Sequence, residues 1–96
     1  MTTPLTLTPG RRPDGTAQLT AVGEIDMSNA GVLADALRGT PGRVVLDLTR
    51  VEYLDSAALN VLFEHADRLE ILAGALLAPV LAVSGIADLA TVHTPT

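Results

Sequence analysis

The sequence contains no cysteine, no tryptophan and no lysine, and its only aromatic side chains besides two histidines are Tyr53 and Phe63. Without cysteine there is no disulfide framework, no thiol nucleophile, no thiolate metal ligand and no cysteine redox switch. With so few aromatics, any core must be built from Leu, Val, Ile and Ala. All six basic residues are arginines (Arg11, Arg12, Arg38, Arg43, Arg50, Arg68), scattered along a chain of net charge −5. They make no basic stripe, so the electrostatic footprint of a nucleic-acid binder is missing. The longest uncharged run, Ile71–Ala87, has 17 residues and is broken by Gly74, Pro79, Ser84 and Gly85. That is short and badly interrupted for a membrane span. The opening "MTTPLTLTPGRRP" lacks the basic then apolar order of a secretion signal. These absences lead us to expect a soluble, cytoplasmic protein.

What is present suits one small α/β domain. The chain has 96 residues, 48% of them hydrophobic, enough for a single core. We expect one domain over residues 1–96, with its folded core from about 5 to 92. "PLTLTPG" and "AQLTAVG" alternate apolar and polar residues around the turn "RRPDG", which predicts an antiparallel hairpin whose first strand stops at Pro9-Gly10. In "EIDMSNAGVLADALRG" the period lengthens: Met27, Ala30, Val32 or Leu33, Ala36 and Leu37 recur every three or four residues. This predicts an amphipathic helix, capped by Asp26 or Ser28 and closed by Gly39 at its C′ position.

"RVVLDL" is a near-continuous aliphatic run, the pattern of a central strand covered on both faces. "TRVEYL" leads on to a second helix, "DSAALNVLFEHADRL", with a stripe of Ala58, Leu59, Leu62, Phe63, Ala66 and Leu69. "LEILAG" predicts a strand, "ALLAPVLAVSG" a helix ending at Gly85, and "IADLATVH" a turn and a last strand. The segment Leu76–Val83 reads as core or as interface. This order of elements is that of helices crossing over a mixed sheet by right-handed connections.

The residues offer little catalytic chemistry. His65 and His93 have no acid and nucleophile in a triad order, no HExxH or DxDxDG spacing suggests a metal, and no glycine-rich loop follows a strand to hold phosphates. We therefore expect no enzyme and no cofactor. Two acidic loops remain, "GEID" (Gly23–Asp26) and Asp55-Ser56, each at a predicted helix N-terminus. Asp26 and Asp55 are also ordinary helix caps, a role worth about 0.5–2 kcal/mol.

Taken together, "GEIDMSNAGVLADAL", "RVVLDLTRVEYLDSAAL" and "LAVSGIADLATV" resemble, in order and spacing, the STAS domain of bacterial anti-sigma factor antagonists. The likeness spans about Leu5 to Val92. It implies a mixed sheet of four or five strands packed by helices on one side. It also implies a function: binding an anti-sigma factor, often a serine kinase with a histidine-kinase-like ATPase fold, so that a sigma factor is released for transcription. In the family the kinase inactivates the antagonist by phosphorylating a motif of the D-S-[ST]-G-L type. Asp55 matches the motif's Asp, Ser56 its first Ser and Leu59 its Leu, but the acceptor falls on Ala57 and the Gly on Ala58. A methyl group cannot take a phosphoryl group. The resemblance thus implies a constitutive antagonist, with Ser56 as the one nearby substitute acceptor. The expected contact surface is Glu24, Asp26, Asp55, Ser56, Asn60 and Glu64.

Two other readings compete. The chain also resembles the small STAS subunits of ABC-type lipid transport complexes, some of which carry D-[ST]-A-G-L, so that Ala57 is less unusual there. A nucleotide- or small-molecule-binding sensor has no dedicated motif.

Overall fold

The computed structural model describes residues 4–94; the ends of the expected 1–96 domain lie outside them. The chain runs β1 (Thr6–Arg11), β2 (Ala17–Ile25), α1 (Ala30–Arg38), β3 (Val44–Leu54), α2 (Ser56–Glu64), β4 (Leu69–Ala73), α3 (Ala78–Ser84) and β5 (Thr91–His93). The five strands form one sheet in the order β1-β2-β3-β4-β5. The β1–β2 pair is antiparallel and the other three pairs are parallel. Each parallel pair is joined by a helical crossover, and every crossover steps one strand in the same direction. Connections of one hand, stepping one way, put all their helices on one face of the sheet.

Burial follows that geometry. Leu19, Ala21, Leu46, Leu48, Leu69 and Ile71 on the sheet meet Leu33, Leu37, Leu62, Leu77 and Leu81 from the helices in one continuous aliphatic cluster. The expectation that "RVVLDL" is covered on both faces is corrected here. Val44, Leu46 and Leu48 point into the core, whereas Val45, although 1% exposed, lies outside that cluster. It sits on the uncovered face between Gln18 of β2 and Glu70 of β4, with half-buried Asp47 beyond it. Shielding by neighbouring side chains, not a second helical layer, buries it.

Other boundaries moved for identifiable reasons. β1 runs through Pro9-Gly10 to Arg11, because an edge strand tolerates a residue without an N–H. β3 continues through "TRVEYL" to Leu54, paired with β2 as far as Ile25 across two register irregularities. α2 stops at Glu64; Ala66–Arg68 is a 3-10 turn, and Leu69 is the first residue of β4, not the last of a helix. Gly39 caps α1 in a right-handed conformation (φ −80°), so the left-handed closure expected there is absent. The last carbonyls of α1 are taken instead by Thr40, whose hydroxyl donates to Ala36 O, and by Arg68. Gly85 does adopt the left-handed conformation (φ 84°) that ends α3.

Candidate functional site

The loops at the C-terminal ends of β2 and β3 meet. Ile25 and Leu54 are register partners, so the residues that follow them, Asp26 and Asp55, leave the sheet side by side. Asp55 is extended (φ −101°, ψ −175°), the geometry of an N-cap, and its Oδ1 accepts the backbone N–H of Ala58 at 3.0 Å. Its second oxygen, Oδ2, accepts the N–H of Met27 at 2.9 Å. Its own N–H donates to Ile25 O at 3.2 Å. One carboxylate therefore caps α2 and holds the β2–α1 loop against it.

The β2–α1 loop is organised from within. Asp26 does not cap α1, and neither does Ser28; both calls are corrected. Asp26 Oδ1 accepts the N–H of Ser28 at 2.9 Å and its hydroxyl at 2.5 Å, a local Asx turn. The Ser28 hydroxyl and then its N–H hold the Asp26 carboxyl below its ordinary pKa, since both bonds favour the charged form. The residue at the N-cap of α1 is Asn29, and its side chain faces backwards: Oδ1 accepts the N–H of Asp26 and Nδ2 donates to Glu24 O, both at 2.9 Å. Asn29 fixes the "GEID" turn and was not singled out in the sequence. An Asn three residues after an acid at a strand end is the signal that could have found it. The loop also rests on Gly23 (φ 113°), where an added Cβ would lie 2.2 Å from Pro4 O.

Of the six expected contact residues, the structure brings five together. Glu24, Asp26 and Asp55 are half-buried around the junction, Ser56 is exposed at the first turn of α2, and exposed Asn60 lies one turn further. Glu64, the last residue of this nine-residue helix, is about 12 Å from Ser56 along the axis, and so stands apart. Two exposed neighbours were missed. Met27, placed by its spacing on the buried stripe of α1, is instead 82% exposed, because the turn before α1 lifts it clear of the core. Tyr53, the register partner of Glu24, is 51% exposed.

Chemically this surface offers carboxylates, a hydroxyl and an amide as hydrogen-bonding groups. Ala57, half-buried in the first turn of α2, presents a methyl group. Among the described residues no group of three His, Asp or Glu side chains could hold a metal ion. The N-termini of α1 and α2 converge here, and their partial positive charge offsets the clustered carboxylates. A concavity of about 770 Å³ lies at the opposite end of the sheet, among Arg11, Asp14, Thr16, Thr40 and Arg43. Its charged groups already have partners: within it Arg11 Nη1 donates to Gly15 O and Asp14 accepts from Thr16 N–H, while Arg43 reaches out to Thr91 Oγ1 on β5.

Comparison with known proteins bears on the fold. Residues 10–91 match the family model described as "Mlab, STAS domain". No curated protein matches the chain significantly. Among solved structures, a Thermotoga maritima protein described as a candidate anti-sigma factor antagonist superposes with a TM-score of 0.70 at 14% identity, covering 94% of this chain and 86% of its own. An antisigma-factor antagonist STAS domain from Rhodobacter sphaeroides gives 0.54 at 18% identity, over 72% of this chain and 84% of its own. A Shewanella loihica protein of the DUF3478 family, with a SpoIIAA-like fold, gives 0.60 at 17% identity, over 97% and 86%. At these identities the likeness is one of fold.

Proposed function

This chain belongs to the STAS domain family, and from that premise we propose that it is an anti-sigma factor antagonist: it binds an anti-sigma factor of the serine-kinase type and so frees a sigma factor for transcription. The observation that carries the reading is the junction at Asp55. One carboxylate joins the "GEID" loop to the first turn of α2, making a continuous acidic surface of the place where the family's motif lies. Glu24, Asp26, Asp55, Ser56 and Asn60 form its centre, and Glu64 extends it along α2.

The switch of this antagonist has lost its acceptor. A phosphate adds about −1.5 to −2 charges, which a helix N-terminus tolerates and a partner packed on the same spot does not. With a methyl at Ala57 the surface stays in its binding form, and the amount of protein sets the response. No helix among the described residues is long and apolar enough to cross a membrane, in keeping with a partner met in the cytoplasm.

A second reading is favoured by the branch of the family that matches together with Ala57: a STAS subunit of an ABC-type lipid transport complex, where Ala at this position is less unusual. The test is a tagged pull-down from the native cell, with bound proteins identified and the intact mass of the bait recorded. An anti-sigma factor on an unmodified bait is the expected result. A phosphorylated bait overturns constitutive action and points to Ser56, and a transport ATPase establishes the second reading.

A further inference from the structure

The arginines are scattered in the sequence, but the fold gathers five of the six at one end of the sheet. Arg11 ends β1 and Arg12 follows it, Arg38 ends α1, and Arg43 and Arg68 directly precede β3 and β4. Because β1 is antiparallel to β2, its last residue lies level with the starts of the parallel strands. Three of these charges are spent within the fold. Arg38 pairs with Asp35, and Arg68 donates to the carbonyls of Leu37, Thr40 and Gly42. Arg12 faces Asp14, whose carboxyl is held below its ordinary pKa by the N–H and hydroxyl of Thr16 and, after them, by the Arg12 charge. Arg11 and Arg43 remain. Among the described residues neither forms a salt bridge, and each spends one N–H, Arg11 on Gly15 O at 2.9 Å and Arg43 on Thr91 Oγ1 at 3.4 Å. The rest of each guanidinium fork is free to donate.

Both residues line the same concavity, the 770 Å³ space between the β1–β2 turn and the α1–β3 loop. Two unpaired cations there set its potential opposite in sign to the net −5 of the chain. We propose that this cavity binds a small organic phosphate monoester, with the phosphoryl group taken by Arg11 and Arg43. The charges match: a monoester carries about −1.5 to −2 at neutral pH, and guanidinium forks fit phosphate oxygens bidentately. The size matches as well, since sites for small ligands run to about 300–1,000 Å³. Pro9, Leu19 and Pro41 supply apolar walls for a short carbon skeleton, and no aromatic side chain among the lining residues is there to stack a nucleobase. The Asp14 carboxylate beside the cations suits a ligand that carries hydroxyl groups next to its phosphate. This site lies at the other end of the sheet from Asp55 and does not depend on what binds there.

An NMR titration of the full chain with glycerol 3-phosphate, at neutral pH and fixed ionic strength, tests this. The expected result is saturable shifts of the amides of Arg11, Thr16, Thr40 and Arg43, which glycerol does not produce and succinate produces only at much higher concentration. Arg11→Gln and Arg43→Gln each raise the dissociation constant about tenfold or more. Arg50→Gln, which removes the same charge away from the cavity, leaves it unchanged. All three side chains are exposed, and circular dichroism verifies that the variants stay folded. Shifts that never saturate, or that Arg50→Gln weakens as much as Arg43→Gln, reveal general counterion attraction and overturn the proposal. Glycerol or succinate binding as tightly as glycerol 3-phosphate overturns the assignment to a phosphate monoester.

Discussion

Helices α1 and α2 pack together and follow parallel strands, so they run in the same direction and present like ends to each other. Each pair of ends is stitched by one charged side chain. At the N-termini, Asp55 accepts the backbone N–H groups of Met27 and Ala58. At the C-termini, Arg68 donates to the carbonyls of Leu37, Thr40 and Gly42, with His65 Nδ1 beside it. The signs are those the helix dipoles favour, an anion at the positive ends and a cation at the negative ones. The difference lies in the surroundings. Arg68 works inside its own scaffold and ties three carbonyls down. Asp55 stands among exposed Met27, Ser28, Ser56 and Asn60, so the group that holds the fold there also shapes the surface proposed for the partner. The same physics gives a clamp at one end and, at the other, the surface proposed to meet a partner.

The contrast breaks most readily at Arg68. Replacing it with Ala leaves three carbonyls without their charged donor, and we expect about 2–3 kcal/mol of lost stability in urea unfolding, with partner affinity kept once the fraction folded is accounted for. Asp55→Ala loses a cap and the tie to Met27, for about 1–2 kcal/mol, but costs binding as well. Calorimetry of the folded variant with its partner separates the two effects. If Arg68→Ala abolished binding while fully folded, the division between clamp and surface would fail. Ala57→Glu sharpens it from the other side. An acid in the first turn of α2 changes stability by less than about 1 kcal/mol yet weakens the complex, as a phosphate would.

The smallest effect belongs to Ser28→Ala. It removes the hydroxyl that holds the Asp26 carboxyl below its ordinary pKa, so that pKa rises towards the usual carboxylate range, as an NMR titration of the Asp26 side chain reports. Because the folded value is depressed, this contribution to stability is complete above the unfolded pKa. It is lost as pH falls through the folded value. In the variant the loss still begins near the unfolded pKa but is smaller and complete at a higher pH, so the acid limb of the stability curve becomes shallower.

Much of this was legible from local pattern. Alternation announced β1 and β2, the aliphatic run announced β3, and Gly85 marked the end of α3. Asp55 was identified as a cap and is one. The failures share a cause. Met27 fits a helical period, but period does not say where a helix starts, and Asn29 reaching back to Glu24 and Asp26 starts it three residues later. Gly39 does follow the last turn of α1, but in a right-handed conformation, and Arg68, 29 residues further on, donates to the Leu37 carbonyl there. "RVVLDL" looked covered on both sides because hydrophobicity alone does not separate a helical layer from shielding by neighbours on adjacent strands.

The sequence by itself determined the aliphatic core, the order of strands and helices, the acidic balance, the absence of thiol chemistry and the missing hydroxyl at position 57, because each is a property of composition or short-range spacing. Only the tertiary structure decided that Asp55 reaches Met27, that Arg68 reaches the end of α1, that Glu64 stands away from the junction, and that Val80 and Val83 on one side of α3 are exposed. Those facts depend on contacts between residues far apart in the chain, which the crossover connections bring together and which no local periodicity encodes.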